Sequence, residues 1–187
     1  MIPLDQSWTL FLDRDGVINR RLPGAYVQQW EEFEFYAGNL EALAQLSKWF
    51  ATIIVVTNQQ GIGKGMMSAA DLEQVHERMR ASIEAAGGRI DAIYYCPDLK
   101  TKADHCRKPR PALALQAQAD FPQIHFERSI MVGDSLSDLQ FGHRLGMKTV
   151  WITTKLEELE QIEMAIKTGE ITVDFKAASL AAWTQNL

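Results

Sequence analysis

The sequence predicts an α/β fold built on a parallel sheet covered by helices, and three observations carry that expectation. Short apolar runs without polar alternation, at residues 10–12, 53–56 and 129–132, suit strands buried on both faces. Helical patterns separate these runs, the order expected of βαβ units. The runs stop at polar residues, Asp13, Thr57 and Asp134. Ligands of open α/β sheets bind just beyond such strand ends.

The first strand lies in Trp8-Thr9-Leu10-Phe11-Leu12 and runs into Asp13-Arg14-Asp15-Gly16-Val17-Ile18-Asn19. Two acids at the lip of an apolar strand are hard to explain by stability. Hard oxygen ligands there suit Mg²⁺, and a carboxylate is a known nucleophile towards phosphorus. The competing reading is an aspartate that caps a helix after an ordinary strand-to-helix turn. Residues 20–37 are irregular and rich in aromatics (Tyr26, Trp30, Phe33, Phe35, Tyr36), which reads as a loop or flap near the site or as core. A helix follows from about Asn39, with Leu40, Leu43, Leu46 and Phe50 on one face.

The second strand, 53–56, ends at Thr57-Asn58-Gln59-Gln60-Gly61-Ile62-Gly63-Lys64-Gly65. Ser68-Ala69-Ala70-Asp71 is a capping-box start to a helix with Leu72, Val75, Met79 and Ile83 as its buried stripe, stopped at Gly87. A third strand is expected over 90–95, then a polar loop over 96–110 and a helix from Pro111. The fourth strand, 129–132, closes on Gly133-Asp134-Ser135-Leu136-Ser137-Asp138, and a helix runs from there to about Leu145. A fifth strand (149–152), an acidic helix (156–167), a short strand (171–175) and a last helical turn complete the chain. No repeat or low-complexity tract interrupts this order, so residues 1–187 read as a single domain.

At 187 residues, 47% hydrophobic and 23% charged, the composition is that of an ordinary globule. The formal net charge of −5 argues against a nucleic-acid surface, which is normally basic. No apolar stretch reaches membrane-spanning length, and residues 1–5 lack the basic and hydrophobic regions of a signal peptide. A cytoplasmic address is expected. Cys96 and Cys106 are too few for a disulfide framework.

Coulomb's law explains why the polar strand ends belong together with Lys108. Two unit charges 4 Å apart interact by about 4 kcal/mol at an effective dielectric near 20. A phosphate dianion approaching Asp13, Asp15 and Asp134 is repelled several times over. A divalent cation and Lys108 reverse that sign, while Thr57 can donate to a phosphoryl oxygen without adding charge. Carboxylates, lysine and threonine make sense as one phosphoryl-transfer site. Taken singly, Thr57 could be a turn residue, Lys108 a solvated lysine and Asp138 a helix cap.

The stretches Asp13-Arg14-Asp15-Gly16-Val17-Ile18-Asn19, Thr57-Asn58-Gln59, Arg107-Lys108-Pro109 and Gly133-Asp134 resemble, in order, the four motifs of the haloacid dehalogenase (HAD) superfamily. More narrowly they resemble its histidinol-phosphate and heptose bisphosphate phosphatase family, over most of the chain to about Ile152. The resemblance implies a Rossmann-like parallel sheet with helices on both faces and the first strand at its centre. It implies Asp13 as nucleophile and metal ligand, and Asp15 as general acid and base with its carbonyl on the metal. Asp134 is then the third protein ligand to Mg²⁺. Thr57 and Lys108 would hold the phosphoryl group, Asp138 would orient Lys108 or a metal-bound water, and Asn58 and Arg107 would contact substrate or a flanking loop. No large cap domain appears at the usual insertion points, so the site is expected to be open.

Relatives that make heptose often carry a zinc loop reading Cys-x-His, then Cys-x-Cys-Arg-Lys-Pro. Here it reads Cys96-Pro97-Asp98, then Asp104-His105-Cys106-Arg107-Lys108-Pro109. Structural zinc wants four closed N or S ligands, so the expectation is two reduced thiols on a loop without zinc. The implied function is a Mg²⁺-dependent phosphatase, acting through an aspartyl phosphate on a small phosphorylated metabolite, a heptose bisphosphate first. Histidinol phosphate, a DNA 3′-phosphate, or phosphosugar binding without turnover are the alternatives. Expected partners are the small-molecule phosphate ester alone, with no nucleic acid, no membrane and a monomeric chain.

Overall fold

Period-two alternation divides the apolar residues of each strand between the two faces of the sheet. Leu10, Leu12, Ile53, Val55, Ile130, Val132, Val150 and Ile152 pack into one buried cluster, while Phe11, Ile54, Val56 and Met131 pack into a second. The computed structural model describes residues 7–22 and 24–187. The opening residues 1–5, read above for a signal peptide, lie outside them.

Among the described residues the sheet has six parallel strands in the order β3-β2-β1-β4-β5-β6. They are β1 (Thr9–Leu12), β2 (Thr52–Asn58), β3 (Ala92–Cys96), β4 (Ser129–Gly133), β5 (Lys148–Ile152) and β6 (Phe175–Ala177). The helices are α1 (Asn39–Trp49), α2 (Gln60–Gly63), α3 (Ala69–Ala85), α4 (Ala112–Asp120), α5 (Leu136–Arg144), α6 (Leu159–Lys167) and α7 (Leu180–Thr184). Leu43 and Leu46 of α1, Val75, Met79 and Ile83 of α3, and Leu180 and Trp183 of α7 cover the first face. Leu113, Ala114 and Ala117 of α4 and Phe141 of α5 cover the second.

β1 is central, as expected, and its register aligns Leu12 with both Val55 and Val132. One and two residues further along these strands lie Asp13, Thr57 and Asp134, so three distant stretches reach the same sheet edge. The Asp13 N–H donates to the Val132 carbonyl at 2.9 Å and extends the β1–β4 pairing to the first acid.

The Ser68–Asp71 capping box forms as expected: each side chain accepts from the other's backbone N–H. The expected strand over 171–175 is corrected. The last strand is Phe175–Ala177, and Ile171 instead sits in a small cluster with Leu139, Trp151, Ile162 and Ala165. Its alternating pattern reflects that burial, and the Thr172 carbonyl accepts from the Thr149 hydroxyl rather than from a ladder partner.

The aromatic segment before α1 divides into two parts. Trp30 stacks on Phe33 and Phe35 meets Phe33 edge to face, with ring centroids at 5.0 and 4.9 Å, and the three pack against the core. Leu22, Gly24, Ala25, Tyr26 and Val27 form a flap over the sheet edge. No helix among the described residues is long and apolar enough to cross a membrane.

Candidate active site

Asp13, Asp15, Thr57, Asn58, Arg107, Lys108, Asp134 and Asp138, the eight residues singled out by sequence, all line one cavity of about 400 Å³ at the carboxyl edge of the sheet. Two glycines allow the acids to approach. A Cβ on Gly16, whose φ is +98°, would lie 2.0 Å from Asp134 Oδ2. A Cβ on Gly133 would lie 2.1 Å from the Cβ of Asp138.

Lys108 is the buried cation of the site, 3% exposed. Its Nζ lies 2.8 Å from Asp13 Oδ1 and 2.6 Å from Asp138 Oδ1, and it donates to the Val56 carbonyl at 2.6 Å. Of the three N–H donors of the ammonium, two are taken by Asp13 and the Val56 carbonyl, and Asp138 completes the surroundings as an ion pair. Burial alone would lower the Lys108 pKa, but Asp13 and Asp138 outweigh it and hold the ammonium charged. Asp138 pairs with Lys108 and also closes a capping box with Ser135 at the start of α5, so the cap and the ion pair share one residue. Asn58 holds the flanking loop: its Oδ1 accepts from the Lys108 backbone N–H at 3.0 Å. The half-buried Arg107 guanidinium reaches the Asp98 carbonyl at 3.5 Å and faces the cavity.

One ammonium does not neutralise the acids. Burial, then the charge of Asp138, pushes Asp13 up to about 6 despite Lys108. Asp134 rises well above the usual carboxylate range through burial and the charges of Asp13 and Asp138. Oxygen atoms of Asp13, Asp134 and Asp138 lie within 4.8 Å of one another. Hard oxygen donors, buried together and short of positive charge, fit a divalent cation such as Mg²⁺.

Asp15 has the opposite environment. Burial would raise its pKa, but the Arg14 charge and hydrogen bonds from Asn19, Gln59 and Arg14 outweigh that and hold it below the usual range. Arg14 NH2 donates to its Oδ1 and Oδ2 at 3.0 and 2.9 Å, Asn19 Nδ2 to Oδ1 at 2.9 Å, and Gln59 Nε2 to Oδ2 at 2.8 Å. The Gln59 amide also donates to Thr57 Oγ1 at 3.0 Å, which leaves the Thr57 hydroxyl hydrogen for another acceptor.

Gln59, Arg14 and Thr154 were missed as site residues. The Thr154 hydroxyl donates to the Gly16 carbonyl at 2.7 Å and lies 3.2 Å from Asp134 Oδ2. Gln59 and Arg14 stood within the quoted motifs, Arg14 between the two acids and Gln59 two residues after Thr57, and that placement was the available signal; Thr154 carried none.

The expectation of two reduced thiols is corrected: Cys96 and Cys106 form a disulfide, with Cα atoms 5.5 Å apart. Cys96 ends β3, and the loop returns along the Asp98 side chain, whose Oδ2 accepts from the Cys106 N–H at 3.0 Å, bringing the sulfurs together. Asp104 is exposed. Joined to one another, the sulfurs offer no thiolate to a metal.

The HAD-hydrolase-like family model matches residues 105–178. The chain is 46% identical over 139 residues to a D-glycero-alpha-D-manno-heptose-1,7-bisphosphate 7-phosphatase of Mycobacterium tuberculosis, covering 74% of this chain and 73% of that protein. It is 42% identical over 145 residues to the beta-anomer 7-phosphatase of Pseudomonas putida, covering 78% and 82%. Among solved structures, the D,D-heptose 1,7-bisphosphate phosphatase of B. bronchiseptica, complexed with magnesium and phosphate, superposes with a TM-score of 0.82 at 28% identity, covering 96% of this chain and 97% of that one.

Proposed function

The chain belongs to the HAD superfamily and within it to the heptose bisphosphate phosphatase family, and from that premise we propose that it removes the 7-phosphate of a heptose 1,7-bisphosphate through an aspartyl phosphate on Asp13. The observation that carries this reading is the convergence of Asp13, Asp134, Asp138 and Lys108 on one cavity. Arg21, Lys64, Arg107 and Lys155 line the same cavity and suit a substrate with two phosphates.

Asp13, Asp134 and the Asp15 carbonyl are the groups that would hold Mg²⁺. When bound, the ion supplies positive charge to the transferring phosphoryl group and to the nucleophile. In the first step an Asp13 carboxylate oxygen attacks phosphorus. The bond from phosphorus to the sugar oxygen breaks, and its electron pair leaves on that oxygen. Asp15 gives this alkoxide its proton. In the second step Asp15 takes a proton from water, the water oxygen attacks phosphorus, and inorganic phosphate leaves with Asp13 regenerated.

The ionised Asp15 of the resting site suits the second step directly. For the first, the negative charge of the bound phosphate raises the Asp15 pKa and brings its proton. Lys108, bonded to Asp13 and the Val56 carbonyl and ion-paired with Asp138, acts as countercharge to the nucleophile and turns a donor to a phosphoryl oxygen. Thr57 donates its hydroxyl hydrogen to the same group, and Asn58 keeps the Lys108 backbone in place. No zinc is assigned to the 96–106 loop, because its sulfurs are joined.

A panel of both heptose 1,7-bisphosphate anomers, histidinol phosphate and a 3′-phosphorylated oligonucleotide, each with and without Mg²⁺, tests the reading. One heptose anomer should exceed the other classes by about 10²-fold in kcat/KM, the discrimination available to a site that pairs charged groups. Chelation should abolish turnover. A preference for histidinol phosphate, or full activity in chelator, contradicts it.

A further inference from the structure

Arg14 is the largest polar side chain with no exposure at all. Its planar fork presents Nε and NH2 to Asp15, at 3.3 Å for Nε to Oδ1 and 2.9–3.0 Å for NH2 to the two oxygens. That leaves NH1 on the far side of the fork, buried and in need of an acceptor. His76, 62 residues away on α3, provides it: the NH1···Nε2 distance is 3.0 Å. Arg14 has no acceptor of its own, so Nε2 must accept, and the imidazole is neutral with its proton on Nδ1. Burial, then the Arg14 charge, lowers His76 to about 3, in keeping with that tautomer.

His76 is a polar exception on its helix. The other buried side chains of α3 are Leu72, Val75, Met79 and Ile83. A leucine at position 76 would extend that stripe, whereas a buried imidazole is tolerated only because it is bonded. The bond acts on a single partner, and that partner grips the acid of the opening motif.

We propose that His76 is a positioning residue for proton transfer: through Arg14 it fixes the orientation of the Asp15 carboxyl relative to the leaving oxygen. This rests on the reading of Asp15 as general acid and base. Without His76 the guanidinium keeps its Nε and NH2 contacts to Asp15 but loses the contact on the far side of its fork, so the orientation in which it holds the carboxyl is less fixed. A misplacement of about 1 Å at a reacting group lowers rate by about 10²-fold. In the first step that loss falls on leaving groups that need a proton and spares those that do not, so the phenolate burst isolates it.

The test compares wild type, His76→Leu, His76→Gln and Asp15→Asn on heptose 1,7-bisphosphate and on p-nitrophenyl phosphate, with thermal melts to check folding. His76→Leu should lose about 10- to 100-fold in kcat on the sugar phosphate. Its burst of p-nitrophenolate should stay within about threefold of wild type, because a phenolate departs with little help from a general acid. His76→Gln, whose carbonyl can accept from Arg14, should recover most of the loss. Equal losses on both substrates, or a glutamine variant no better than leucine, overturn the proposal and leave His76 a packing residue. Should Asp15→Asn lose its p-nitrophenolate burst as well as its sugar phosphate turnover, the general-acid reading falls and the proposal falls with it. If His76→Leu does not fold, His76→Met fills similar volume without a carbonyl acceptor, and the ratio of the two substrate rates decides in the same way.

Discussion

Replacing Lys108 with methionine keeps the length and burial of the side chain and removes its charge. In the wild type the ammonium touches Asp13 at 2.8 Å, Asp138 at 2.6 Å and the Val56 carbonyl at 2.6 Å. The variant leaves two buried carboxylates facing each other, with Asp134 beside them. Removing one partner of a buried ion pair costs about 3–5 kcal/mol, which for a chain of this size corresponds to a fall in Tm of about 10 °C. The cost depends on pH in a definite direction. Carboxyls whose folded pKa is raised destabilise the fold when ionised and cease to do so once protonated. Asp13 is already pushed up to about 6 in the presence of Lys108, and losing that ammonium raises it further. Urea melts in chelator at pH 8 and pH 5 are the assay. The deficit should be about 4 kcal/mol at pH 8 and less than half that at pH 5. Turnover should fall by about 10²–10³-fold or more, the effect of deleting a preorganised charge. A variant as stable as wild type at both pH values, or one with near-normal turnover, refutes the reasoning.

Three further outcomes are expected. Gly16→Ala places a Cβ where Asp134 Oδ2 lies, in a backbone conformation with φ of +98°; it should lose Mg²⁺-dependent stabilisation and about 10²-fold in kcat, and a variant with the wild-type response to Mg²⁺ contradicts this. The apo-protein should gain stability as pH falls from about 6 towards 4, because Asp13 at about 6 against its usual 3.8 corresponds to about 3 kcal/mol; flat melting curves in chelator over that window contradict it. The rise in Tm on adding Mg²⁺ should be full at pH 7.5 and shrink below pH 6, since protons compete for the same carboxylates; a pH-independent rise places the ion elsewhere.

The sheet was legible in the sequence because its central strands are buried on both faces, and burial leaves an uninterrupted apolar run. The site residues were legible for a related reason: Asp13, Thr57 and Asp134 follow those runs directly, so one register carries all three to one edge. Lys108 was recognised by its motif, but its two hydrogen bonds and near-complete burial were not, since they depend on residues 52 and 95 positions away. The same holds for His76, which sits 62 residues from Arg14 and has the helical spacing of an ordinary core position. Local pattern misled at two places. Ile171 and Val173 alternate as in a strand, yet the alternation follows a small cluster around Trp151. The cysteines lie ten residues apart in a polar loop, and their approach is set by the Asp98 turn, which no spacing rule encodes.

The measurement that bears most directly on the chemistry is the site of covalent phosphorylation. Asp15→Asn, mixed with p-nitrophenyl phosphate and Mg²⁺ and quenched in acid, should release a burst of phenolate and retain phosphate on the protein. Peptide mapping should place that phosphate on Asp13, and Asp13→Asn should show neither burst nor adduct. An adduct on another residue, or a burst that survives in Asp13→Asn, would contradict Asp13 as the nucleophile.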